Sequence, residues 1–162
     1  MSVNEPQSTG SIEPRMYITG LIAALAASIL AGIVLHLTGW IGAVATLYNL
    51  SGEVMGWVLV LVHGMFAGVV FVGIVLPIVG TYRDIVAQSE ELIGPIPTAG
   101  LIGALFGLVL WIFLVIAVPV WAGFYLGADM DLPYLNLPAL LALLVFGALL
   151  GGSYPVIDDL LT

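Results

Sequence analysis

Four stretches without a single Asp, Glu, Lys or Arg dominate this chain: residues 16–52, 54–82, 92–128 and 132–157. A charged side chain at the centre of a bilayer costs on the order of 3 kcal/mol or more, so uninterrupted charge-free runs mark membrane spans. Each run exceeds the roughly 20 residues that cross about 30 Å of hydrocarbon. The balance of the chain agrees, with 62% hydrophobic and only 7% charged residues. A soluble domain carries about 25% charged residues, so this composition excludes an ordinary soluble enzyme. Two basic residues against ten acids give a net charge of −8, which leaves no footprint for nucleic acid. With no cysteine there is neither a disulfide nor thiolate chemistry.

The fold class expected is all-α, an integral membrane four-helix bundle. Its spans are predicted at about 17–38, 54–80, 98–126 and 138–157, inside a membrane domain of residues 17–157. Residues 1–16 read as a flexible acidic tail and residues 158–162 as a short C-terminal one. The N-terminal tail has no basic segment and no small-residue cleavage site, so the first span is expected to serve as its own insertion signal. Ser51, Thr98 and Asn136 are the expected helix caps, Pro138 suits a first turn, and Pro77 and Pro119 are expected to kink their spans. Arg15 and Arg83 fall on one side of a four-span chain, and the positive-inside rule makes that side cytoplasmic, with both termini there. The net charge is then −5 inside and −3 outside. Trp40, Tyr48, Trp57, Trp121, Tyr125 and Tyr134 gather at the outer interface. Between spans two and three, Tyr82, Ile85, Val86, Ser89, Leu92 and Ile93 recur at helical spacing opposite a charged face, which predicts a short amphipathic connecting helix.

Helices in lipid associate through close backbone approach, which small residues permit. The first span has Gly20, Ala24, Ser28 and Gly32 at four-residue intervals. Gly64 and Gly68, Gly103 and Gly107, and Gly147 and Gly151 repeat the pattern on the other three. The reading is packing within one compact bundle, with self-association through a leftover stripe as the alternative. The segment from Gly20 to Leu25 also resembles that from Gly100 to Leu105, eighty positions later, as two repeated helical hairpins would produce.

Within the spans only His36 and His63 are ionisable, which makes them the candidates for chemistry. As haem ligands they would need similar depths. His36 stands about 3 Å below the outer end of its predicted span and His63 roughly 15 Å, so ligation is disfavoured and no cofactor is expected. Glu53, His63 and Thr38 form the candidate polar pocket of a proton or cation path. No phosphate loop, zinc motif or nucleophile–base set is present, and no metal site or enzymatic activity is expected. Asn49-Leu50-Ser51 is an N-glycosylation sequon on the predicted outer side.

The lack of lysine and the acidic tails resemble proteins of extremely halophilic archaea. Within that group the chain is similar to small four-helix membrane proteins of unassigned function, through Gly64-Met65-Phe66-Ala67-Gly68, Gly103-Ala104-Leu105-Phe106-Gly107 leading to Trp111 and Pro119, and the segment from Gly147 to Pro155. The resemblance carries no catalytic residues. The expected role is an accessory or scaffolding subunit of a larger membrane assembly, such as a respiratory one, in contact with lipid and with other subunits or itself. The alternative is a small carrier or proton/cation path through Glu53 and His63.

Overall fold

A computed structural model describes residues 13–161. The helices are α1 (Pro14–Leu37), α2 (Ile41–Thr46), α3 (Glu53–Val70), α4 (Leu76–Thr81), α5 (Arg83–Ile93), α6 (Pro95–Trp121) and α7 (Leu137–Leu160). A π-helical turn at Phe71–Val75 joins α3 to α4, and a second at Ala122–Leu126 extends α6. Four passages are long and apolar enough to span a membrane: Pro14–Leu37, Glu53–Thr81, Pro95–Leu126 and Leu137–Leu160. No strand occurs among the described residues. The chain is an all-α, multi-pass membrane protein.

Helix ends follow local chemistry, with two departures from expectation. Asn136 caps α7, its side-chain oxygen accepting from the Ala139 N–H at 2.8 Å, and Pro138 occupies the first turn. Ser51 does not cap α3; that position belongs to Gly52, whose φ of 94° suits a residue without a Cβ. Thr98 does not cap the third span either. The span starts a turn earlier at Pro95, and the buried Thr98 hydroxyl donates to the Gly94 carbonyl at 2.9 Å. One π turn ends just before Pro77 and the other begins three residues after Pro119. Ahead of Pro77, the Leu76 N–H reaches back five residues to Phe71. Pro119 has no N–H for the carbonyl of Val115, which instead accepts the Tyr134 N–H at 3.1 Å. The loop before α7 is thus folded back onto α6.

The expected tails are shorter than predicted. Residues 14–16 belong to α1, and Asp158 and Asp159 to α7; residues 1–12 and 162 lie outside the described ones. Arg15 and Asp158 pair at 3.4 Å, the buried Thr19 hydroxyl donates to the same carboxylate at 3.2 Å, and the Tyr154 hydroxyl donates to the Met16 carbonyl at 3.5 Å. The first turn of α1 and the last of α7 are therefore clasped at one end of the bundle.

In packing order the spans run α3, α1, α7, α6. Helix α1 lies between α3 and α7, and α6 packs on α7. The position of α1 explains why it buries eight small residues, Thr19, Gly20, Ala23, Ala24, Ala27, Ser28, Ala31 and Gly32. They form two adjacent stripes, each of which admits a neighbour. Gly20 and Gly68 meet across the α1–α3 contact, where Ala24 also touches Gly68; Ser28 fills the space opposite Gly64, and the Trp57 ring covers Gly32. Between α6 and α7 the backbones themselves touch. A Cβ on Gly103 would strike the Gly147 carbonyl and the reverse also holds, while Gly107 faces Leu143 O and Gly151 faces Ala99 O. Phe71, Phe106 and Phe146 fill the space between the outer helices, with the Phe71 and Phe106 rings edge-on at 5.4 Å.

The sequence repeat does not extend to this packing. Helix α6 meets α7 along Ala99, Gly103 and Gly107, which correspond to Thr19, Ala23 and Ala27 of α1. The stripe of α1 that meets α3 is the neighbouring one, Gly20, Ala24, Ser28 and Gly32. The two hairpins use different faces of the similar segment.

Candidate functional site

The chemistry-bearing side chains converge at the end of the bundle opposite the clasped termini, around the connection between α1 and α3. Gly39, with a φ of 75°, turns the chain after α1, and the Trp40 N–H donates to Leu35 O at 2.7 Å. The short helix α2 was not anticipated within the long first run. It buries Ile41 and Ala45, and its Ile41 carbonyl rests on Gly56 of α3. The connection therefore lies along α3 and does not stand clear of it. Asn49, exposed and with a φ of 55°, reverses the chain directly after Tyr48.

That path brings Tyr48 to His63. The Tyr48 oxygen and His63 Nε2 are 2.6 Å apart, and His63 Nδ1 is 2.6 Å from the carbonyl of Leu59. A carbonyl only accepts, so Nδ1 carries the proton of the neutral ring, and the Tyr48 hydroxyl donates to the lone pair of Nε2. Burial pushes the Tyr48 phenol above its ordinary value of 10.0. On its other side the Tyr48 ring lies 5.8 Å from that of Trp121, whose indole N–H donates to Leu47 O at 2.6 Å. Trp121 in turn stacks on Tyr125 at 4.8 Å. The outcome is a continuous row of rings, His63, Tyr48, Trp121 and Tyr125.

The other predicted site residues are engaged elsewhere. Glu53 lies 3.6 Å from His36 Nδ1, both of them solvent-accessible, and the His36 ring lies 6.3 Å from Trp57. The Thr38 hydroxyl donates back to Val34 O at 2.8 Å and borders an apolar groove with Leu137 and Leu141. Glu53 and His63 are ten residues apart on one helix, about 15 Å along its axis. Thr38, Glu53 and His63 thus have separate partners and do not form the expected pocket. His36 meets Glu53 at the helix start, so the two histidines stand at different depths, and both ring nitrogens of His63 are already bonded. No group of three potential metal ligands exists among the described residues.

No family model matches the chain, and no curated protein and no solved structure is similar to it.

The sequence had placed Tyr48 and Trp121 in an aromatic belt at the interface. Their pairing with His63 had one indirect signal, the excess length of the first charge-free run, which required some of its residues to form a loop.

Proposed function

We propose that this multi-pass membrane protein is a non-catalytic accessory or scaffolding subunit of a larger membrane assembly, with both termini in the cytoplasm. The supporting observation is helix α6, which packs on α7 and leaves one bulky face uncovered along its length. Leu105, Val109, Phe113, Ile116, Val120 and Phe124 are all exposed along it, Phe124 at 90%. The glycines that allow close approach are used inside the bundle, so this bulky face is what the protein offers to lipid and to neighbouring subunits. A proton reaching His63 would have no onward acceptor in the Leu59 carbonyl, which argues against a through-path. The acidic ends suit a protein working in concentrated salt.

Affinity purification in a mild detergent followed by mass spectrometry tests the role. Stoichiometric membrane partners are expected. A lone chain that carries protons into liposomes, and stops doing so on His63→Ala, would overturn the reading. Orientation is testable because the chain has no cysteine. An impermeant maleimide should label Asp131→Cys on intact cells and Ser89→Cys only after lysis.

A further inference from the structure

His63 stands about 15 Å inside the span that begins at Glu53, on a face the bundle leaves exposed. An imidazole in that place is costly, and an apolar side chain would occupy it without needing partners. Here it is held in one tautomer by two short hydrogen bonds, one of them from a phenol. The Leu59 carbonyl cannot take a proton, so a proton can move between Tyr48 and His63 and no further. A phenol whose proton has a fixed acceptor can lose an electron without passing through a cationic radical. The ring row gives that electron a route outward, through Trp121 to Tyr125, which is 54% exposed.

We propose that Tyr48 and His63 form a proton-coupled redox pair that reduces one-electron oxidants of the peroxyl-radical class arriving at Tyr125 and Trp121. In the step, the oxidant takes one electron through the Tyr125–Trp121 stack and one proton from water, becoming a hydroperoxide and leaving hydroxide. Tyr48 supplies the electron, its O–H bond breaks, and the proton passes to His63 Nε2. The products are a neutral phenoxyl and an imidazolium still bonded to Leu59 O. One oxidant is consumed per chain. A phenol keeps its proton at neutral pH, so loss of an electron from Tyr48 is coupled to movement of that proton along its hydrogen bond to His63.

The test uses the full chain in detergent, with ruthenium(III) tris-bipyridine generated by a light flash as oxidant and freeze-quench electron paramagnetic resonance as readout. A tyrosyl signal is expected, absent in Tyr48→Phe and formed about tenfold more slowly in Trp121→Phe. His63→Gln keeps a hydrogen-bond acceptor but supplies no base, so the signal should fall while helix content by circular dichroism is unchanged. Deuterated solvent should slow the radical's return, an effect that a purely structural Tyr48–His63 contact would not produce. Peroxyl radicals from a thermal azo initiator should be consumed faster by the wild type than by Tyr48→Phe. An unchanged signal in Tyr48→Phe or in His63→Gln, no isotope effect, or equal peroxyl consumption would each overturn the proposal.

Discussion

At Gly103 and Gly147 each residue's carbonyl oxygen occupies the place where the other's Cβ would be, so neither position accepts a side chain without separating α6 from α7. Gly103→Leu or Gly147→Leu should cost about 1–3 kcal/mol, as overpacked interiors do, read as a lower unfolding midpoint in detergent. Gly80 is the control, because nothing lies within 4 Å of a Cβ added there. Gly80→Ala should leave the midpoint unchanged or raise it slightly. Asn136 caps α7, donates from its amide to the Tyr134 hydroxyl at 2.9 Å and accepts the Trp111 indole N–H on its carbonyl at 3.1 Å. Asn136→Ala should cost about 1 kcal/mol through the lost cap. Tyr48 has a raised pKa in the folded chain, so the unfolded chain gives up that proton first. The group's contribution to stability is complete below about pH 10 and is lost as the pH rises through the folded value. Unfolding midpoints measured across that range should fall less steeply for Tyr48→Phe.

Among the elements, the third span shows how a missing donor is put to use. Pro119 frees the carbonyl of Val115, and the loop before α7 supplies the missing donor through Tyr134. Pro119→Ala would restore an intrahelical donor to that carbonyl and set it in competition with Tyr134. Hydrogen exchange at the Tyr134 amide should then accelerate severalfold, read by mass spectrometry of the loop peptide. The amphipathic connector was legible from periodicity and forms α5, with Ile85 and Leu92 exposed at 63% and 84%. Helix α2 was not legible. Its six residues carry no charge to contrast with the span before them, so no periodic signal separates the two. Caps were partly legible for a related reason. Asn136 works as a cap because an extended residue precedes the helix, whereas Ser51 and Thr98 each lie one or more positions from the true start.

For the molecule as a whole, the order α3, α1, α7, α6 places the smallest residues in α1, one of the two helices with two neighbours, and leaves bulky α6 at an edge. Arg15 at a helix N-terminus and Asp158 near a C-terminus each oppose their own helix dipole, yet they pair across the bundle. The pair is partly exposed, so it should contribute at most about 1 kcal/mol. Unfolding of Arg15→Gln, Asp158→Asn and the double variant should show a loss in the double smaller than the sum of the singles. By itself the sequence determined four spans, their small-residue stripes and the confinement of charge to their ends, because the bilayer penalises each charge locally and along the chain. Which stripe meets which helix was decided only in three dimensions, since α1 offers two adjacent stripes and the sequence does not say which neighbour takes each. The pairing of Tyr48 with His63 and Trp121 was likewise a tertiary outcome. It arises where a folded-back connection meets two spans, and no spacing along the chain encodes that meeting.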